Sequence, residues 1–366
     1  MRLITPVLFS LMAAAAQADI DSSTGSLSVQ PVVQGLDAPW AVGFLPDGGI
    51  LITERSGALY LRAADGTLDE IGHDLDIAAD GQGGLLDVMV PRDFATSGEI
   101  FLSFAKRQGR GAGTALAVAT LNQTKGFLEN TRVIFEAERG ARGGRHFGSR
   151  IVEATDGTLF LTIGDRGDRP SAQDLRNENG TVVRVNRDGS VPVDNPFVGV
   201  AGAQPEIWSY GHRNAQGAAL DLNGQLWTVE HGARGGDEVN RPEPGKNYGW
   251  PVISYGTHYS GFSIGEGTEK PGMEQPEHYW DPSIAPSGMM VYSGKLWPEW
   301  RGDIFVGSLK FDYISRLSGA DLTEVEQLTS DETLRVRDIR EAPDGTIWFL
   351  SVGNGTLYRI APGSSS

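Results

Sequence analysis

Three observations predict an all-β chain arranged as a six-bladed β-propeller with four-stranded antiparallel blades. A hairpin pattern, two short apolar strands joined by a turn, recurs six times along the sequence. The 366 residues include 49 Gly and 19 Pro, a composition suited to many turns. Beyond the N-terminus no stretch keeps a 3.6-residue apolar period for three turns. Hairpins returning at intervals of about forty residues or more, with further strands between them, read as blades. A β-sandwich gives no reason for such a repeat. Length alone allows two domains or one large all-β unit, and the unbroken repeat favours a single domain over residues 19–366.

Each element has its own justification. Met1-Arg2, the apolar run Leu3 to Ala16 and the small-x-small triplet Ala16-Gln17-Ala18 make residues 1–18 a secretory signal peptide. The run is too short to serve as a membrane span. The mature chain is expected to begin near Asp19 and to be periplasmic or secreted. Leu27 to Val33 precedes the first hairpin and is free to pair with the last blade, closing the ring and protecting its edges. The hairpins then follow in order. They are Trp40–Leu45 with Ile50–Thr53, Leu85–Val90 with Ile100–Ser103, and Ser149–Val152 with Leu159–Ile163. Gly217–Leu222 with Gln225–Val229, Gly288–Tyr292 with Ile304–Val306, and Val336–Ile339 with Ile347–Leu350 complete the set. Outer strands are visible at Gly57–Leu61 and Gly355–Ile360. The turns carry Asp-Gly at 47–48, 156–157 and 344–345 and Asn-Gly at 223–224. Asn-Gly suits the positive φ values of a type I′ turn.

In an antiparallel pair, the start of the first strand and the end of the second lie at the same end, opposite the turn. With those two strands innermost in every blade, one mouth of the central channel can be assembled from sequence. Strand starts supply Gln82, His146, His212-Arg213-Asn214, Ser287, Arg335 and Arg337. Strand ends supply Glu54-Arg55, Lys106, Asp165-Arg166, Glu230-His231 and Lys310. The chain has a formal charge of −16 and a pI near 4.8, which argues against a nucleic-acid surface. Yet Arg213, Lys310, Arg335 and Arg337 converge on this mouth, where guanidinium forks suit carboxylates or phosphates. The alternative is ordinary ion pairing of these cations to Asp165, Asp237 and Asp338. No Cys is present, which removes disulfides and thiolate metal sites. Gly109-Arg110-Gly111-Ala112-Gly113 lacks the strand-to-helix context of a dinucleotide fingerprint, and neither an HExxH nor a Walker sequence occurs.

Several motifs together resemble one family. Gln82-Gly83-Gly84-Leu85-Leu86, Arg145-His146-Phe147-Gly148-Ser149-Arg150, Gly164-Asp165 and Gly211-His212-Arg213-Asn214 are four of them. Asn247-Tyr248-Gly249-Trp250-Pro251, Leu309-Lys310 and Arg335-Val336-Arg337-Asp338 are the others. In order, and over nearly all of the mature chain, they resemble the soluble quinoprotein glucose/aldose sugar dehydrogenases, nearest the compact aldose sugar dehydrogenase branch. The resemblance implies a six-bladed propeller that binds pyrroloquinoline quinone (PQQ) and oxidises aldoses at C1 to lactones by hydride transfer. It implies His146 as general base, Asp165 as the carboxylate that orients it, and Arg213 as the cation facing negative charge on the quinone. Cofactor contacts are implied at Gln82, Arg213, Asn214, His231, Tyr259, Leu309, Lys310, Arg335 and Arg337. One Ca²⁺ on the cofactor is implied at the backbone of Gly232 and Ala233, and a second, structural one at Glu238 and the backbone of Tyr248. The chain departs from the pattern at His231, where the glucose enzyme has Gln, and at Ala233, where related chains have Pro. A Ca²⁺-dependent lactonase and a non-catalytic binding propeller remain beside this reading. The preferred aldose and the electron acceptor (quinone, cytochrome or dye) stay open, and no nucleic acid or membrane span is expected.

Overall fold

The computed structural model describes residues 18–138 and 140–363. The signal-peptide stretch up to Gln17 lies outside them. The described chain forms six separate antiparallel sheets, with one short α-helix at Phe94–Ser97 and two 3₁₀ turns. The first blade holds Pro39–Phe44, Ile50–Glu54, Leu59–Arg62 and Leu68–Glu70, paired in sequence order. Blades two to five, over residues 85–136, 151–210, 215–280 and 286–328, repeat that order. The sixth blade closes the ring. Gly25–Gln34 pairs with Thr356–Pro362, in the register Leu27↔Pro362 to Gln34↔Thr356, outside Ile347–Ser351 and Val336–Glu341. This blade has a fifth strand, Ala18–Ser22, paired with Gly25–Gln34, so the four-stranded expectation holds for the other five blades.

The first strand of each blade packs against the first strands of its neighbours, so the starting strands line the axis. Those strands and their partners are covered on both faces. Ile50–Glu54 and Leu159–Ile163 are buried throughout, which is why they read as mainly apolar runs without a polar residue at every second position. The outermost strand of blade five, Thr323–Leu328, alternates instead. Apolar side chains fill every seam between blades. Leu51, Leu85 and Phe104 sit in the first, Phe101, Ile151 and Leu161 in the second, and Val152, Phe160 and Leu226 in the third. Val229, Met289 and Val306 fill the fourth, Phe305, Ile339 and Phe349 the fifth, and Val42, Ile52 and Leu350 the last. Each such side chain contributes roughly 1.5–3 kcal/mol on burial.

Two expectations are corrected. Asn223-Gly224 is not a type I′ turn, because only Gly224 has positive φ, at 84°. The amide of Gly224 donates to the Asp221 carbonyl, and the Asp221 amide donates to the Gln225 carbonyl. That is a three-residue hairpin ending in a left-handed glycine, and the Asp-Gly turns at Gly48, Gly157 and Gly345 share it. An aspartate commonly caps the turn: Asp156 Oδ1 accepts the Thr158 amide at 3.0 Å. The second correction concerns Asp338. It pairs with Arg150 (3.1 Å) and Arg340 (3.1 Å), while Asp87 takes the other arms of the same two arginines at 2.9 Å each. This buried network ties blades two, three and six across the channel and leaves the mouth cations to other uses.

Candidate active site

The mouth opposite the Asp-Gly turns opens into a basin formed by two confluent cavities of about 690 and 530 Å³. They share Gln82, Asn214, His231, Ala285 and Lys310. His146, Arg213, Gly232, Ala233 and Tyr259 line the first, and Leu309, Arg335 and Arg337 line the second. Asp165 stands behind the wall, fully buried. Glu238 and Tyr248 meet Arg213 and His231 at a smaller recess beside the basin. Lys106, also expected at this mouth, pairs instead with Glu136 at 2.6 Å.

His146 is held in the left-handed region at φ 55°, a backbone state that costs a non-glycine residue about 1–3 kcal/mol and persists only where neighbours enforce it. They do so here. Its amide donates to Gln82 Oε1 (2.7 Å), its carbonyl accepts the Arg166 amide (3.3 Å), and its Nδ1 meets Asp165 Oδ1 at 2.6 Å. Gly164 explains the Gly-Asp pair: a Cβ there would lie 2.1 Å from the His146 carbonyl oxygen. Asp165 is itself fixed, with Oδ1 also accepting the Gly167 amide (2.7 Å) and Oδ2 accepting the Trp250 indole N–H (2.8 Å). Burial opposes its ionisation, but these donors outweigh it and hold its pKa below the usual carboxylate value. With an ionised Asp165 on Nδ1, the proton belongs there and Nε2 carries the free lone pair. Burial first, then Arg213, lowers the His146 pKa below its ordinary value even though Asp165 pulls it up. The imidazole is therefore a neutral, oriented base at neutral pH.

Around it the cations are held without neutralisation. Among the described residues no carboxylate oxygen lies within 4.0 Å of the charged ends of Arg213, Lys310, Arg335 or Arg337. Asp165, Asp237 and Asp338 are engaged elsewhere, Asp237 by the Gly232 amide, Ser283 and the Ala285 amide. The arginines are positioned by neutral acceptors. Arg213 donates to the His231 carbonyl (3.1 Å) and lies 5.3 Å from the centre of the Trp250 ring. Arg335 donates to the Leu309 carbonyl (2.9 Å) and Arg337 to Gln216 Oε1 (2.6 Å). Burial, then the neighbouring Arg55, Arg150 and Arg335, pulls the Arg337 pKa down to about 9. Arg213 Nε and His231 Nε2 are buried without partners. Burial, with Arg213 and Arg337 next to it, holds His231 well below its usual pKa. Asn214 Oδ1 accepts the Gly148 amide at 3.1 Å, fixing the turn that carries His146.

No group of three or more His, Asp or Glu side chains among the described residues is placed to hold a metal ion. A cation at this mouth would therefore rest mainly on backbone oxygens such as those of Gly232 and Ala233. Glu238, raised to about 8 by burial and by Glu230 beside it, is the acidic group a second cation would keep ionised.

Sequence reasoning missed Trp250, quoted only as part of a motif, and Gln216, which sits on an inner strand among small apolar residues. It also passed over Gly261-Phe262-Ser263-Ile264-Gly265, which has Gly-x-Ser-x-Gly spacing. That stretch is a rim loop with no strand-to-helix turn, so it is not a nucleophile elbow.

The chain was compared with known proteins. The family model for glucose/sorbosone dehydrogenases matches residues 36–359. Aldose sugar dehydrogenase YliI of Escherichia coli K12 is 41% identical over 350 residues, covering 93% of this chain and 94% of that protein. Quinoprotein glucose dehydrogenase B of Acinetobacter calcoaceticus is 27% identical over 408 residues, covering 87% and 84%. The crystal structure of the soluble aldose sugar dehydrogenase from Escherichia coli, in its apo form, superposes with a TM-score of 0.89 at 40% identity, covering 92% of this chain and all of that one. With the six-bladed ring and the residues of its mouth described, these likenesses place the chain: it belongs to the glucose/sorbosone dehydrogenase family, and it is an oxidoreductase.

Proposed function

We propose that the protein oxidises the C1 hydroxyl of aldose sugars to the lactone with PQQ as hydride acceptor, in the periplasm or outside the cell. The observation that carries this reading is the His146–Asp165 pair at 2.6 Å, in a basin shared with four cations that have no carboxylate partner. A cofactor bearing several carboxylates fits that donor set, and the orphaned N–H of Arg213 gives it one more contact. The name of the Acinetobacter relative, a quinoprotein, supports the same choice. The signal-peptide reading of residues 1–18 supports the compartment.

When bound, PQQ supplies an ortho-quinone able to accept a hydride. Lys310, Arg335 and Arg337 hold its carboxylates, and Gln82, Asn214, His231, Leu309 and Tyr259 shape the walls around it. Arg213 presents a desolvated positive charge to developing negative charge in the basin. His146 Nε2 takes the proton of the sugar C1 hydroxyl, and ionised Asp165 stabilises the imidazolium that results. Gly232 and Ala233 offer carbonyls to one Ca²⁺. Glu238 and the Tyr248 backbone offer a site to a second.

Reconstitution tests the reading. Purified apo-protein should reduce a redox dye with glucose only when PQQ and Ca²⁺ are both added. Full activity with PQQ after metal removal and in a strong chelator would remove Ca²⁺ from the scheme. Lactone hydrolysis without PQQ, and no sugar oxidation with it, would replace the dehydrogenase by a lactonase.

A further inference from the structure

The glycine-rich run Gly109-Arg110-Gly111-Ala112-Gly113 has no role in the basin, yet it helps to build a second cleft. Its residues Gly109 to Ala112, with Ala141, Arg142 and Gly144, line a cavity of about 180 Å³ that shares no residue with the basin. The two segments approach closely, so that a Cβ on Gly111 would lie 2.8 Å from the Ala141 carbonyl carbon. Four arginines line the cleft, against one carboxylate, Asp80. Arg107, Arg110 and Arg142 are exposed, and Arg107 is paired loosely with Asp76 at 3.4 Å. Arg166 is only 2% exposed. Its guanidinium lies 3.3 Å from the centre of the Phe147 ring and donates to the carbonyls of Arg145 and of Ala112 (3.2 Å). Its Nε has no partner. The adjacent Asp165 makes no direct ion pair with it, its oxygens accepting instead from His146, Gly167 and Trp250. A desolvated guanidinium with a spare N–H, beside three more guanidinium groups on an acidic protein, is the chemistry of an anion receptor.

We propose that this cleft is a binding subsite for a small oxyanion, a phosphate or carboxylate group. The group arrives either as a free anion or as the acidic side chain of a docking protein, and in both cases Arg110, Arg142 and Arg166 bind it. Burial pulls the Arg166 pKa down only to about 10, so the guanidinium stays charged at neutral pH.

Isothermal titration of inorganic phosphate into the mature chain, at pH 7 in low chloride, tests the site. The basin also holds unpaired cations, so two variants are needed alongside the wild type. A millimolar site should weaken by roughly tenfold or more in the double variant Arg110→Ala/Arg142→Ala, whose side chains are exposed. The same site should persist in Arg335→Ala, which alters the basin alone. No phosphate binding in the wild type, or binding lost only in Arg335→Ala, overturns the proposal. Arg166→Lys, checked for folding by its thermal melt, should also weaken the site because a point charge replaces the fork. Hexaglutamate separates the sources. Competition with phosphate at about tenfold higher affinity assigns the cleft to an acidic protein surface, and equal or weaker binding assigns it to a free anion.

Discussion

Asp165→Asn is the sharpest probe of the His146 assignment. The substitution keeps the shape of the side chain and removes its charge. Both carboxylate oxygens face N–H donors in the structure, His146 and Gly167 at Oδ1 and Trp250 at Oδ2. An asparagine has a single acceptor oxygen, so either orientation sets its NH₂ against a donor. With the oxygen at the Oδ1 position, the Trp250 N–H is orphaned, which costs about 1–3 kcal/mol of stability. With the NH₂ there, the Gly167 amide is orphaned and His146 must accept at Nδ1. The ring proton then moves to Nε2, where the base is needed. In either case the imidazolium formed in the reaction loses its counter-charge. Turnover of the PQQ-loaded protein should fall by about 10²–10⁴, with KM for the sugar changed far less. Single-turnover rates under saturating glucose, with a thermal melt of the same preparation, measure both effects. A rate within about threefold of wild type, with an unaltered pH profile, would refute Asp165 as the support of the base. Trp250→Phe removes one donor from Asp165 and leaves its charge, so it should cost less than Asp165→Asn by at least roughly tenfold.

The remaining predictions follow from the same geometry. His146→Ala should bind PQQ nearly as well as wild type and lose turnover by about 10²–10⁴, read by cofactor titration beside single-turnover kinetics; an unchanged rate would place the base elsewhere. Arg337→Ala or Arg335→Ala should weaken PQQ binding by about 1.5–3 kcal/mol each, since each removes a charge-assisted contact, and unchanged titration curves in both would return these arginines to a structural role. The acid limb of kcat/KM should lie below the ordinary histidine pKa of 6.5, because burial and Arg213 lower the His146 value. The active neutral ring persists as pH falls to that lowered pKa and is lost beneath it. In Asp165→Asn the limb should move lower still, because the carboxylate raises the His146 pKa, and a limb at or above 6.5 in wild type would contradict the burial argument.

The repeat of apolar hairpins by itself determined the six-bladed ring. Strands buried on both faces are mainly apolar, and the turns between them carry glycine at the left-handed position, so both signals are local and survive in one dimension. Closure by Leu27 to Val33 was legible for a related reason: a leftover strand and an open edge call for each other. The list of mouth residues followed from strand polarity alone, and eight of its resemblance-supported members line the basin. Which charges pair was decided only in three dimensions. Asp338 lies next to Arg337 in sequence, yet it pairs inward with Arg150 and Arg340, while Arg337, at a register shift of the strand, is left facing the basin. Trp250 reaches Asp165 across 85 positions, a contact that no spacing encodes. The arginine cleft is of the same kind, since it depends on segments around residues 80, 110, 142 and 166 meeting at one edge. Local patterning sets where strands and turns form. Long-range packing sets which polar atoms keep their partners and which are left free for chemistry.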